Sequence, residues 1–299
     1  MRFSHLYSPP SDPTPRFAVI VTTTDGDVRG ALFVDELLDE APRDLQEFLE
    51  SDPLVQRRVR DTVLVALRSG ASLALPGEFS YAPAVLRPPA IIAIGLNYAD
   101  HAAELGFDVA SDPTVFGLWP NSLAADGDDL TWSQAQTAAV DFEVELGVII
   151  GRDVKDVSEE DALESVFGYT VVNDITARDI QFREQQWIRC KSLDGFTPVG
   201  PVVVTADEVG DPQNLALSTV LNGLVMQSAN TSFMIRTVAQ LVSYLSQGTT
   251  IKAGTLISTG TPAGAGFSRS PQVVLGEGDT VTVSVESLGS LTTICHVTP

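Results

Sequence analysis

Short apolar runs separated by polar turns dominate this chain, a rhythm of strands more than of helices. Residues 16–23 (RFAVIVTT) and 28–33 (VRGALF) read as two strands joined through TDGD, a hairpin turn. PRDLQEFLE, opening on Pro42, reads as a helix. DPLVQRRVRDTVLVALRSG reads as a second helix, with Asp52 as N-cap, Pro53 at the first helical position and Gly70 as stop. LPGEFSYAPAVLRPPA then accumulates Pro and Gly, and a boundary is expected within residues 76–89. This divides the chain into a small N-terminal α+β domain (1–82) and a larger domain (83–299).

Beyond the boundary, AIIAIG is a buried strand, and NYADHAAELG a short helix with Asn97 as N-cap and Gly106 as stop. SEEDALESVFG reads as another helix, capped by Ser158. LNGLV carries Asn-Gly, the strongest two-residue hairpin signal, and DTVTVSVES alternates strictly. The pattern predicts a β-rich α+β fold with a few helices packed on sheets, not a βαβ succession.

One strand breaks the pattern. VDFEVELGVII (140–150) places Asp141, Glu143 and Glu145 in the register that shares one face. Neighbours on that face lie about 7 Å apart, and at an effective dielectric of ~20 each pair repels by about 2–3 kcal/mol. Two readings stand: a solvated sheet face, or a hard-cation site in which Mg²⁺, Mn²⁺ or Ca²⁺ turns repulsion into attraction. A cation needs further ligands, and GYTVVNDITARD supplies Asp174 after a second apolar run. Asp174 is otherwise a turn former or helix N-cap, and serves a metal only if its strand lies beside the first.

Composition narrows the field. The formal charge is −21, which disfavours nucleic acid and anionic membrane as partners. No run approaches the ~20 apolar residues of a membrane span, and the N-terminus has no apolar signal region. Two cysteines, Cys190 and Cys295, form no spaced metal pair or disulfide framework, and a cytoplasmic location is expected. Only three lysines occur, Lys155, Lys191 and Lys252, which draws notice to Lys191 in WIRCKSLDGFTPVGP, where it could neutralise a substrate oxyanion or be a surface lysine near a turn. Of three histidines, His101 alone has a carboxylate at helical spacing, Glu104, which could orient the ring as a general base or be a surface pair. His5 and His296 lie near the termini without such a setting. STGTPAGAG (258–266) lacks the Lys and helix entry of a P-loop but could present Thr261 and backbone amides to a carboxylate.

In order along the chain, IGLNYADHAAE, DFEVELGVIIG, VVNDITARDIQ, QWIRCKSLDGFTPVGP, LNGLVMQSANTSFM and ISTGTPAGAG resemble the fumarylacetoacetate hydrolase superfamily, within it the acylpyruvase and 2-hydroxyhepta-2,4-diene-1,7-dioate isomerase-like branch. The resemblance implies a mixed β-sandwich roll, usually dimeric. It makes Glu143, Glu145 and Asp174 ligands of one Mg²⁺ or Mn²⁺, His101 and Glu104 a water-activating dyad, and Lys191 a support for the reacting substrate. Arg178 and Gln181 match residues facing the substrate or its metal, and Gly260 and Thr261 match substrate contacts. Two positions depart from the family pattern. Leu96 stands where many members carry arginine, and Trp119 where many carry lysine, so the pocket is expected to suit a second substrate carboxylate less well. The implied activity is hydrolysis of a C–C bond in a β-diketone or acylpyruvate-type 2-oxo acid, the metal stabilising an enolate. Decarboxylation, isomerisation or hydration of a 2-oxo acid follows the same logic, and a catalytically silent, metal-stabilised binding protein is the alternative of another class. A small-molecule 2-oxo acid is the expected partner, within a homodimer.

Overall fold

A computed structural model describes residues 1–24, 26–104, 106 and 112–299. Asp25 of the TDGD turn and Leu105 of NYADHAAELG lie outside them. Two sheets organise the chain. The larger has the strand path Val28–Phe33, Arg16–Thr22, Arg2–Tyr7, Thr197–Thr205, Val166–Asn173, Val144–Ile150, Leu256–Ser258, Ile91–Gly95, Thr114–Gly117. All neighbours are antiparallel except Leu256–Ser258 with Ile91–Gly95. The three N-terminal strands thus continue the sheet that holds the carboxylate strand. The smaller sheet runs Leu224–Asn230, Ala216–Leu221, Thr280–Val285, Gly289–Thr298, Asp129–Ser133.

The large sheet is covered on both sides, which is why its central strands read as continuous apolar runs. Val144, Leu146 and Val148 belong to a core shared with Leu217, Val281, Val283 and Leu291 of the smaller sheet. Ile149 and Val172 belong to a second core with Phe48 of helix Leu45–Glu50 and Val59 and Val63 of helix Pro53–Arg68. The longer helix begins as expected, Asp52 accepting from the Leu54 amide with Pro53 inside the first turn. The Asn222–Gly223 turn has φ of 50° and 83°, the left-handed pair of a tight hairpin. Thr280–Val285 shows the alternation of burial that its sequence predicts.

Two capping expectations are corrected. Ser158 does cap a turn, accepting from the Asp161 amide at 3.2 Å, but only a 3₁₀ turn over Ala162–Ser165 follows. Strand Val166–Asn173 begins immediately after, and its pairing on both edges leaves no room for an α-helix. Asn97 does not cap the helix Ala99–Glu104. Its amide nitrogen instead donates to the Arg236 and Thr259 carbonyls, at 3.0 and 2.9 Å, and its Oδ1 accepts from the Arg236 amide at 2.9 Å.

Candidate metal centre and active site

The carboxylate strand is broken where its chemistry lies. Val140–Asp141 pairs with Thr176–Ala177 in a separate two-stranded sheet, and the main strand resumes at Val144. Side chains replace the lost ladder: the Phe142 amide donates to Asp141 Oδ1 at 2.9 Å, and the Glu143 amide to Asn173 Oδ1 at 3.1 Å. The solvated-face reading is overturned, because Asp141, Glu143 and Glu145 are all buried.

Antiparallel pairing of Val144 with Asn173 brings Asp174 beside Glu143, and the Asp174 amide donates to the Glu143 carbonyl at 2.9 Å. One oxygen each from Glu143, Glu145 and Asp174 lies within 4.8 Å of the others. Two buried side-chain cations sit among these carboxylates. Lys191 Nζ donates to Glu143 Oε2 at 2.7 Å and to Asp174 Oδ2 at 2.5 Å. Arg178 Nη2 donates to Glu143 Oε1 at 2.6 Å and Asp141 Oδ2 at 2.8 Å. The expected carboxylate repulsion is therefore met by buried side-chain cations, not left as bare strain. Neither Lys191 nor Arg178 is exposed, which removes the surface-lysine reading.

Protonation is divided unevenly among the three acids. Burial alone would raise Glu143, but the charges of Arg178 and Lys191 outweigh it and hold the carboxyl down to about 2. Burial raises Asp174 to about 6 against the opposing charge of Lys191. Glu145 is pushed well above its ordinary value by burial, then by Asp174 and Glu143, although Ser258 Oγ and the Gly260 amide donate to its Oε2 at 2.6 and 2.8 Å. Lys191 is raised: burial opposes its charge, but Asp174 and Glu143 more than restore it. A carboxyl kept protonated by its neighbours is one that a divalent cation ionises on binding. Asp174 Oδ1 is buried with no hydrogen-bond partner among the described residues. Three convergent hard oxygen donors, one with an unused acceptor, fit a divalent cation that prefers oxygen ligands.

His101 is buried on its short helix, with Nε2 at 3.7 Å from Glu143 Oε1 and Nδ1 at 3.9 Å from Glu104 Oε2. The second separation exceeds hydrogen-bond length, and Nδ1 has no partner among the described residues. Glu104 Oε2 instead accepts from the Gly264 amide and Ser268 Oγ, each at 3.0 Å. The expected pair is thus adjacent but not closed. Gln181 accepts from Arg178 Nη1 at 3.0 Å, and Thr261 Oγ1 donates to the Val144 carbonyl at 2.9 Å.

His101, Glu143, Glu145, Asp174, Arg178, Gln181, Lys191 and Thr261 all line one cavity of ≈ 20 Å³, enough for about one water. Leu96 also lines it. Trp119 does not: its amide donates to Ser192 Oγ at 3.0 Å and its side chain is 44% exposed, so the part of the pocket expectation that rested on it is withdrawn.

Sequence reasoning assigned Asp141 no role. Here it accepts from Arg178 Nε and Nη2 and from the amides of Phe142, Gly266 and Phe267. The loop 258–268 therefore sends donors to Glu145, Glu104 and Asp141, and carries Thr261 between them. The only hint of this in the sequence was Asp141 sharing a register with the two glutamates. Trp187 and Phe116 also line the cavity; Trp187 lies within the QWIRCKSLDGFTPVGP motif, but neither its type nor its spacing, nor those of Phe116, marked a site residue.

Comparison with known proteins agrees with this architecture. The family model described as fumarylacetoacetate (FAA) hydrolase C-terminal matches residues 90–295. A Burkholderia ambifaria protein described as a putative hydrolase is 45% identical over 236 residues, 77% of this chain and 83% of its own. The solved structure of fumarylacetoacetate hydrolase from Exiguobacterium antarcticum has 32% identity and a TM-score of 0.78, with complete coverage of both chains. The 5-carboxymethyl-2-hydroxymuconate delta-isomerase from Mycobacterium smegmatis has 29% identity and a TM-score of 0.73, again covering 100% of each chain. The chain belongs to the fumarylacetoacetate hydrolase family.

Proposed function

We propose that this protein is a divalent-metal-dependent hydrolase that cleaves a C–C bond in a β-diketone or acylpyruvate-type 2-oxo acid. The observation that carries the reading is the convergence of three buried carboxylates, Lys191 and the His101 ring on one cavity. Glu143, Glu145 and Asp174 would hold one Mg²⁺ or Mn²⁺. When bound, the cation supplies Lewis-acid polarisation and neutralises developing negative charge.

The remaining chemistry belongs to side chains. His101 Nε2, on the Glu143 side of the ring, takes a proton from water. Glu104 steadies the imidazolium through Nδ1 once the 3.9 Å separation contracts to a hydrogen bond. The hydroxide adds to the distal carbonyl carbon, the C–C bond breaks, and its electron pair leaves as an enolate. The proton on His101 then returns to the enolate carbon. Lys191 favours the departing charge, which exists only late in the reaction. Arg178 keeps Glu143 ionised and placed, and Gln181 and Thr261 complete the cavity wall that faces the substrate. A homodimer, a small-molecule 2-oxo acid partner and a cytoplasmic location are part of this reading.

The test is a product-resolved turnover screen of 2,4-dioxo acids with Mg²⁺ and Mn²⁺. Pyruvate and a second carboxylic acid are expected in equal amounts. Carbon dioxide or a rearranged oxo-dienoate as sole product would replace hydrolysis by decarboxylation or isomerisation. Bound metal without turnover would make the protein a binding module.

A further inference from the structure

Three consecutive amides at the break in the carboxylate strand are taken by side chains. Those of Phe142 and Glu143 go to Asp141 and Asn173, as described above. The third, Val144, donates to Gln227 Oε1 at 3.0 Å. Gln227 lies on the strand Leu224–Asn230 of the smaller sheet between half-buried Met226 and exposed Ser228, yet it is fully buried itself. Its side chain reaches across the interface between the two sheets. Oε1 also accepts from Thr219 Oγ1 at 2.7 Å, and Nε2 donates to Thr261 Oγ1 and to the Pro262 carbonyl, each at 2.8 Å.

Backbone partners fix the direction of this network. The Val144 N–H can only donate and the Pro262 carbonyl can only accept, so the amide cannot be turned over. Thr261 Oγ1 then accepts from Gln227, and its own proton goes to the Val144 carbonyl at 2.9 Å. Toward the cavity that hydroxyl can only accept. Two peptide groups join Glu143 to Glu145, and one side chain holds both. The peptide between Glu143 and Val144 is held directly, through the Val144 N–H, and the peptide between Val144 and Glu145 through its carbonyl, by way of Thr261. Gln227, Thr219 and Thr261 are all buried, and a fully satisfied buried network rigidifies the groups it joins. The same strand holds the glycine-rich loop a second time, Arg269 Nη2 donating to the Met226 carbonyl.

We infer that Gln227 is a positioning residue for the metal centre: its amide sets the backbone between Glu143 and Glu145, and so the spacing at which their carboxylates meet a divalent cation. Gln227 does not line the cavity and acts through Val144 and Thr261. The inference rests on the metal site of the proposed function and not on the reaction assigned to it. Calorimetric titration of Mn²⁺ alone tests it. Gln227→Met keeps the length of the side chain and removes its hydrogen bonds, and Mn²⁺ affinity is expected to fall by at least about tenfold. Thr261→Val should also lose affinity, and Thr261→Ser, which restores the hydroxyl, should stay within about threefold of the wild type. Because both substitutions break one network, Gln227→Met and Thr261→Val together should lose less than the product of the single losses. Val283→Ala, in the core of the same smaller sheet, lowers the denaturant midpoint without touching the network and should keep the wild-type affinity. Wild-type affinity in folded Gln227→Met overturns the inference, as does an equal loss in Val283→Ala or a double loss equal to the product. If Gln227→Met does not fold, equal affinities in Thr261→Val and Thr261→Ser overturn it. Mn²⁺ binding that depends on Gln227, in a protein that cleaves no 2,4-dioxo acid, overturns the hydrolase reading instead and leaves the role of Gln227 standing.

Discussion

His5 is expected to make the fold sensitive to mild acid. The ring is fully buried in the first strand, Nε2 accepting from the Leu45 amide at 3.0 Å and Nδ1 facing the Pro83 carbonyl at 3.3 Å. Those partners require the neutral tautomer with its proton on Nδ1, since a second proton on Nε2 would meet the Leu45 N–H. Burial pushes the ring down from 6.5 to about 4, against the charge of nearby Asp44, while Arg87 adds to the lowering. The unfolded chain then binds a proton that the folded chain refuses between those two values. This contribution to stability is complete above pH 6.5 and is lost as pH falls toward about 4. At about pH 5 the proton imbalance integrates to roughly 1.5 pH units, or about 2 kcal/mol. His5→Gln keeps an acceptor for the Leu45 amide and removes the titration. Urea unfolding of both proteins between about pH 8 and about pH 5 measures the difference, because other titrating groups cancel in it. The stability advantage of the wild type over the variant should shrink by about 2 kcal/mol across that interval. Parallel curves would refute the reasoning, and would mean that the ring takes up its proton without disturbing the Leu45 contact.

Other expectations concern the site. Glu143→Gln and Asp174→Asn should each lose Mn²⁺ binding by calorimetry together with any turnover, and full activity in a metal-free variant would sink the metal mechanism. His101→Ala should retain Mn²⁺ affinity but lose hydrolysis, measured by pyruvate release. Asp141→Asn removes one of Arg178's two buried carboxylate partners, leaving Glu143, and should lower stability by up to about 3–5 kcal/mol, read from denaturant midpoints. Mn²⁺ at about a hundred times its dissociation constant should stabilise the wild type by about 2.7 kcal/mol, an effect that chelator reverses and Glu143→Gln abolishes.

Local pattern carried much of the fold. The strict alternation of Thr280–Val285, the Asn222–Gly223 turn and the Asp52–Pro53 helix start are each decided by residues within a few positions of one another. Such signals survive in any context that buries the right face. SEEDALESVFG failed because its last residues were wanted by a strand that pairs on both edges, a demand from elsewhere in the chain. Asn97 failed for a related reason: its amide found partners at Arg236 and Thr259, more than a hundred residues away.

The site divides along the same line. The identity of Glu143, Glu145, Asp174, His101 and Lys191 could be picked out from residue types and motif order. Their convergence could not, since it depends on Val144 pairing with Asn173 and on the turn that lowers Lys191 into the cluster. Nor could the answer to the acidic strand. Its repulsion looked like a demand for a metal, and the fold meets part of it with Arg178 and Lys191. His5 shows the reverse error: nothing local distinguishes a buried histidine from an exposed one near a terminus. By itself the sequence determined which groups are present and the period in which they face. Only the tertiary structure decided which charges meet and which are desolvated, because those energies depend on distances and surroundings set by residues far apart in the chain.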